Sequence, residues 1–363
     1  MPSLIVSFLT SLFVSVFLIR SAARHARHSA DHDLSGPQKF HSRPVPRIGG
    51  VAVFAALLAG TGLAQIDREP DHLLLWTLLG VSLPAFLFGL AEDLTKDVSP
   101  RRRLFFTAVS ACLAAWLLDG VLRRVAVPGI DKLLAMLPFA VALTVFAVTG
   151  VANAVNIIDG FNGLASMCVL FMASAIAYVA FQVSDPFVLT ASLITIGAVL
   201  GFVVWNFPAG LIFLGDGGAY LLGFLVAELS VLLMRRNADV SPMFALLLCA
   251  YPIFETVFTI YRRKFVRGVA TAAPDGIHLH TLIHRRVMRL DAGTALERRQ
   301  TRRNSMTSPY LWVLCLMSVI PSVLWWDNTA VLSAFVFLFV AAYMYLYWSI
   351  VRFKTPKWLF FRR

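Results

Sequence analysis

Long apolar stretches alternate with short clusters of charge along the whole chain. The stretches run near residues 3–19, 49–65, 73–91, 104–118, 133–149, 163–183, 187–205, 217–234, 241–261, 309–325 and 329–351. Most approach the roughly 20 residues a helix needs to cross about 30 Å of hydrocarbon, while 104–118 and 133–149 are short. None alternates with the period of a barrel strand, and a lipid-exposed backbone must satisfy its own hydrogen bonds. The pattern therefore predicts an all-α, polytopic membrane protein with about 11 transmembrane helices. The first stretch has no positive charge ahead of it and Arg20, Arg24 and Arg27 behind it, the reverse of a cleavable leader. It reads as a retained anchor with the N-terminus outside, and residues 1–363 read as a single integral membrane domain.

Composition sharpens this picture. Of 363 residues, 58% are hydrophobic and 14% charged, with a mean hydropathy of +0.75. Soluble domains carry about 25% charged residues, so a water-soluble globule is excluded. The formal charge of +12 raises nucleic acid as a partner, but the basic residues sit between apolar segments and form no separate basic domain, so none is expected. Position explains the charge better. With the N-terminus outside, the inward connections 20–48, 92–103, 150–162, 206–216, 262–308 and 352–363 hold 26 of the 32 lysines and arginines. The positive-inside rule assigns these connections and the C-terminus to the cytoplasm, with 262–308 as a long cytoplasmic loop. Cys112, Cys168, Cys249 and Cys315 all fall in apolar stretches, form neither a disulfide framework nor a zinc spacing, and read as free buried thiols.

Four clusters on the inner side carry candidate chemistry. In FGLAEDLTKDVSPRRRL, Glu92 and Asp93 adjoin Lys96 and Arg101–Arg103. Paired carboxylates beside cations can hold a divalent ion and polyphosphate oxygens together; an acidic cap followed by interfacial arginines is the ordinary alternative. In VTGVANAVNIIDGFNGLASM, Asn153, Asn156, Asp159 and Asn162 recur every three residues, a polar face unsuited to lipid and suited to a sugar or base edge. A set of Asx caps and turns is the alternative there. Asp216, among Gly215, Gly217 and Gly218, opens a stretch where a metal-bound phosphate could approach the backbone closely, or else it is an N-cap. In RRKFVRGVATAAPDGIHLHTLIHRR, His278, His280 and His284 follow Arg262, Arg263, Lys264 and Arg267. His278 and His280 are too close for a helical zinc pair and no third ligand is evident, so phosphate contact suits them better than zinc, against a background of ordinary loop histidines. Glu228 and Glu255 lie inside apolar stretches; Glu255 is near enough to the inner end to face the same cavity, whereas Glu228 reads as an interhelical or protonated group.

Together these residues give the chain a resemblance to the polyprenyl-phosphate N-acetylhexosamine-1-phosphate transferases. HSRPVPRIGG, Glu92-Asp93, NAVNIIDGFNGLA, NFPAGLIFLGDGGAYLLG and PDGIHLHTLIHRR resemble the family's motifs in order and over nearly the whole chain. The resemblance implies integral enzymes of the bacterial inner membrane with a cytoplasmic active site. They transfer a sugar 1-phosphate from a UDP-N-acetylhexosamine to undecaprenyl phosphate, release UMP, and use Mg²⁺ or Mn²⁺. It makes Asp216 the principal metal ligand and Asp93, with Glu92, the acidic pair at the reacting phosphates. Asn156, Asp159 and Asn162 would line the nucleotide-sugar side. His278 and His280, helped by Arg263 or Arg267, would contact the diphosphate, and His41, Arg43 and Arg47 would meet the lipid phosphate.

Departures from the common pattern are Glu92 in place of Asp, Asn162 in place of Asp and Thr281 in place of a further His. They resemble the branch devoted to O-antigen-type initiation rather than the muramoyl-pentapeptide enzyme. A proton- or cation-coupled transporter is the alternative, but it calls for inverted repeats and mid-bilayer charges, and the two halves show no convincing repeat. A CDP-alcohol phosphotransferase would need an Ala-Arg after its Asp-Gly, which DGFNGLAS lacks.

Overall fold

The computed structural model describes residues 1–22, 45–266, 268, 277–287 and 296–352. Its helices are α1 (Pro2–Arg20), α2 (Gly49–Ile66), α3 (His72–Thr95), α4 (Pro100–Leu117), α5 (Pro128–Leu134), α6 (Leu137–Ile158), α7 (Leu164–Gln182), α8 (Pro186–Asn206), α9 (Gly215–Arg236), α10 (Met243–Leu248), α11 (Ala250–Tyr261), α12 (Leu279–Leu282), α13 (Leu296–Leu324) and α14 (Thr329–Val351). Among the described residues there is no strand, and nine helices, α1–α3, α6–α9, α13 and α14, are long and apolar enough to cross a membrane. The chain is a multi-pass membrane protein.

The sequence reading of eleven spans exceeds this count at two places. The stretch 104–118 is helical as α4, but its first turn carries Arg101, Arg102 and Arg103. The stretch 241–261 is interrupted at Cys249 between α10 and α11. Pro252 explains the interruption: it has no N–H to give the carbonyl of Leu248, and its ring crowds that carbonyl. A second difference concerns the loop drawn to residue 308, because α13 already begins at Leu296 and runs unbroken into its apolar part.

Helix α9 is the axis of the molecule. Every residue from Gly215 to Met234 is buried, and α2, α3, α4, α6, α7, α8 and α10 all pack on it. A helix this apolar suits either lipid or a protein core, and here the surrounding helices enclose it. Small residues bring its neighbours close: a Cβ on Gly50 would lie 2.4 Å from the Gly218 nitrogen, and one on Gly89 would lie 2.6 Å from the Gly217 Cα. The same device seats α1, whose Ser3, Ser7, Ser11 and Ser15 are all buried on the side where α2 and α8 pack. In lipid such small-residue seams gain van der Waals contact that bulky side chains would prevent.

Polar anchors mark the two ends of α9. At its C-terminal end Arg236 donates to Asp185 at 2.8 Å and to Asp71 at 3.1 Å, joining the starts of α8 and α3. The N-terminal end carries the cavity described next. Cys168, Cys249 and Cys315 are buried as expected, whereas Cys112 is exposed.

Candidate active site

The start of α9 forms one wall of the cavity, and a carboxylate from another helix holds it in place. Asp93, near the end of α3 and 1% exposed, accepts hydrogen bonds from the backbone N–H groups of Asp216 and Gly217, both at 2.9 Å. These are amides of a first helical turn, which lack intrahelical acceptors. Gly215 makes the approach possible: its φ is +76°, and a Cβ there would lie 2.1 Å from the Arg47 carbonyl oxygen and 2.5 Å from Asp93 Oδ2. The N-cap alternative for Asp216 is therefore not what the chain adopts. Asp93 does the capping, and the Asp216 side chain is left to face the cavity.

Three groups reach Asp216. Asn156 Nδ2 donates to Oδ1 at 3.0 Å, Arg47 Nη2 donates to the same oxygen at 3.4 Å, and Arg103 Nη1 donates to Oδ2. Arg103 enters from the first turn of α4, whose N-cap Ser99 accepts from the Arg102 amide. Its guanidinium lies 5.8 Å from the centre of the Tyr220 ring, and the Tyr220 hydroxyl donates to Asn153 Oδ1 at 3.1 Å.

The next wall is the turn after α6. Asp159, one residue beyond that helix, lines the cavity. Burial pushes its carboxyl up to about 7 from an ordinary 3.8, against the opposing pull of the Arg47 guanidinium. Asn162 fastens the turn to α13: its amide N–H donates to Asn304 Oδ1 at 2.8 Å and its Nδ2 donates to Ser305 Oγ at 3.0 Å. Asn206 completes the fastening by accepting from Gly163 N at 2.6 Å and donating to the Ile212 carbonyl at 2.8 Å.

The histidines form the opposite wall. Arg262 donates to the Ile277 carbonyl and to Tyr347 of α14, which sets the chain before α12. His278 and His280 then lie with their rings 4.9 Å apart and 8° from parallel. Burial draws the His280 ring down to about 3 and the His284 ring down to about 4, so both are neutral near pH 7. Buried beneath them, Glu255 supplies the third potential ligand that the spacing did not reveal: one ligand atom each from Glu255, His278 and His280 lies within 4.8 Å of the others.

The walls enclose a cavity of about 350 Å³ lined by Arg47, Arg103, Asn156, Asp159, Asn162, Asn206, Asp216, His278, His280 and Asn304 among others. Asp159, Asp216 and His278 thus line one cavity, whereas Asp93 is not among the lining residues and meets its wall through the Asp216 and Gly217 amides. Each of the Asp93 oxygens accepts one backbone amide, Oδ1 from Asp216 and Oδ2 from Gly217. Glu92 also stands apart from the cavity; its Oε2 accepts from the Val98 amide at 2.8 Å and closes the loop ahead of α4. Arg263 is buried but is not among the cavity-lining residues. His41, Arg43 and Arg267 lie outside the described residues.

The donor set distinguishes two kinds of cation. Asp159 and Asp216 offer hard carboxylate oxygens on the lining of the cavity, a donor type that would suit Mg²⁺ or Mn²⁺. The histidine wall, rich in nitrogen, would not.

Comparison with known proteins gives this geometry its setting. The family model described as glycosyl transferase family 4 matches residues 75–234. A probable undecaprenyl-phosphate N-acetylglucosaminyl 1-phosphate transferase of Bacillus subtilis is 28% identical over 284 residues, 77% of each chain. The undecaprenyl-phosphate alpha-N-acetylglucosaminyl 1-phosphate transferase of Thermotoga maritima is 30% identical over 276 residues, 76% of this chain and 80% of that one. The chain belongs to glycosyl transferase family 4. The phospho-N-acetylmuramoyl-pentapeptide-transferase of Oceanobacillus iheyensis is 27% identical over 243 residues, 64% of this chain and 74% of that one. The family match contains Asp93, Asp159 and Asp216, whereas the histidine wall lies beyond it.

Two polar cavity residues of this family 4 glycosyl transferase, Asn206 and Asn304, were not singled out from the sequence, and Arg103 stood there only as one of a basic run. Arg103 was readable in principle. With Ser99 and Pro100 starting a helix, it is the last residue of the first turn and need not point where Arg101 and Arg102 point. Asn206 is a single polar residue at the end of an apolar stretch and Asn304 one of many in a polar run, and only the fold brings both to the cavity.

Proposed function

We propose that the protein transfers an N-acetylhexosamine 1-phosphate, with N-acetylglucosamine the first candidate, from its UDP-sugar to undecaprenyl phosphate and releases UMP. The step would begin O-antigen or a related cell-envelope polysaccharide at the cytoplasmic face of the bacterial inner membrane. The observation that carries this reading is the cavity itself, in which two carboxylates, two guanidinium groups and two imidazoles converge at one end of an otherwise apolar bundle. The undecaprenyl phosphate and N-acetylglucosamine 1-phosphate named for the Bacillus and Thermotoga relatives support this choice of substrates. A transporter would instead place its charges near the bilayer midplane.

An oxygen of the lipid phosphate attacks the β-phosphorus of the UDP-sugar. A new P–O–P link forms, the bond to the bridging oxygen of UMP breaks, and the charge leaves on UMP. A phosphate monoester has a second pKa of about 6, so the nucleophile is largely ionised near neutral pH. Catalysis then rests on position and electrostatics. Asp216 and Asp159 would hold Mg²⁺ or Mn²⁺, which would supply positive charge beside the diphosphate. Arg47 and Arg103 balance phosphate charge on the α2–α4 side, and His278 and His280 hydrogen-bond the diphosphate from the other. Asn156 keeps the Asp216 carboxylate turned inward, while Asp93 fixes the turn that carries it.

The test is UMP release from UDP-N-acetylglucosamine by membranes supplied with undecaprenyl phosphate and Mg²⁺, run beside other UDP-sugars and Asp216→Ala. Lipid-linked product from the wild type and none from Asp216→Ala is the expected result. Absence of product with every UDP-N-acetylhexosamine would remove the reading.

A further inference from the structure

Asn153 and Tyr220 stand behind the cavity rather than in its lining, and the proposed reaction gives neither a role. Asn153 lies one turn before Asn156 on α6, and Tyr220 lies one turn after Asp216 on α9, so each pair shares a helix face. The two faces meet as two rungs. Asn156 Nδ2 donates to Asp216 Oδ1 at 3.0 Å, and the Tyr220 hydroxyl donates to Asn153 Oδ1 at 3.1 Å. Farther along α9, Gly223 closes the seam, because a Cβ there would lie 2.7 Å from Ala152 Cα. Tyr220 is 1% exposed, and a ring enclosed by close packing and tied at its hydroxyl has little freedom to turn.

A third helix reaches across both rungs. Arg103 of α4 donates through Nη1 to Asp216 Oδ2, and its guanidinium lies over the Tyr220 ring, 5.8 Å from the centre. At that distance the negative face of an aromatic ring attracts a guanidinium. The Arg103 Nε is buried and has no hydrogen-bond partner among the described residues. Two contacts, one with Asp216 and one with the ring, therefore define where this long side chain ends. With a single charged partner it would reach that partner from many directions; a flat surface beneath the guanidinium leaves few.

We propose that Tyr220 is a positioning residue for Arg103: its ring is the platform that aims the guanidinium at Asp216 and at the diphosphate beside it, and Asn153 is the brace that holds the ring in its plane. The inference deepens the transferase reading and rests on it. Asn153 then works at one remove from the substrate, through Tyr220 and Arg103 in turn. The polar face of α6 extends one turn beyond the cavity lining for that reason.

The experiment compares UMP release by the wild type, Tyr220→Phe and Tyr220→Leu. Tyr220→Leu removes platform and brace together. It is expected to lower kcat about 10-fold with KM for the UDP-sugar within about twofold, because a displaced guanidinium keeps its charge near the cavity and loses its alignment. Tyr220→Phe keeps the platform and loses only the brace, so it should stay within about threefold of the wild type. In an Arg103→Gln background, Tyr220→Leu should cost less than about twofold more, since the two residues act as a unit. An unchanged kcat in Tyr220→Leu, a Tyr220→Phe as impaired as Tyr220→Leu, or losses that multiply in the double variant overturns the proposal. A second arm does not depend on the reaction. Thermal melting in detergent should show Tyr220→Leu lowering the midpoint by about 1–2 °C more in the wild type than in Arg103→Gln, the difference being the contact between ring and guanidinium. Equal drops in the two backgrounds overturn the proposal as well. A wild type without turnover removes the transferase reading instead, and the melting cycle still judges whether the ring holds the arginine.

Discussion

Asp216 shows how much depends on which atom of a residue meets which neighbour. Its backbone N–H is given to Asp93 and its side chain to Asn156, Arg47 and Arg103, so a single position closes a helix and opens a cavity. Arg103 holds one of its oxygens as a planar fork lying near the Tyr220 ring, a geometry that lysine cannot copy. Arg103→Lys is accordingly expected to lose on the order of 10²-fold in kcat/KM despite keeping its charge, as measured by UMP release. Asp159 provides a pH signature. Its folded carboxyl is raised to about 7 from 3.8, so from pH 4 to pH 7 the unfolded chain ionises this group before the folded one does, and stability falls as pH rises. Without divalent ions, the melting temperature of the wild type should fall relative to Asp159→Asn between pH 4 and pH 7. Mg²⁺ should narrow that gap above pH 7; parallel melting curves for the two proteins would count against the buried acid. At this scale the sequence was informative wherever a polar residue stood out against apolar neighbours, as Asp159, Asp216 and His278 do. Arg103 was hidden by its neighbours, because in a run of three arginines nothing but helix phase separates the inward one.

Helices α3 and α9 cross on glycine and are tied by one carboxylate, so the acidic pair divides into unequal members. Asp93→Ala leaves two buried amides without acceptors, at about 1–3 kcal/mol each. It should lower the melting temperature and the turnover together. Glu92→Gln removes charge from a single hydrogen bond to the Val98 amide and should leave both within a few-fold of wild type; equal losses in the two variants, by thermal melting and UMP release, would refute the division. Among the elements, apolar length revealed most of the spans. It did not reveal the interruption at Cys249, since α10 and α11 are both apolar and only Pro252 signals the break. Nor did it place the start of α13, whose first turns are polar and helical at once. Hydropathy measures what lipid tolerates, and a helix that projects beyond lipid falls outside that measure.

The molecule as a whole has one basic end and one anchored end. If the basic end faces the cytoplasm, exposed positions at the two ends should differ in their access to an impermeant maleimide. With Cys112 replaced, Asp239→Cys should react in intact cells and Asp97→Cys only after permeabilisation. Reaction of Asp97→Cys in intact cells would invert the topology and, with it, the source of the UDP-sugar. Nothing in the linear pattern distinguishes the central helix from its neighbours, since α9 is neither the most nor the least apolar of the spans, and its glycine-rich first turn signals chemistry as readily as packing. That position matters for anyone who purifies the protein. All of the apolar core of α9 is enclosed, whereas only 17% of the corresponding part of α14 and 22% of that of α1 are. Exchanging native lipid for a micelle therefore rewets the rim and leaves the axle dry, and the carboxylate borne on that axle should survive extraction in its working pose.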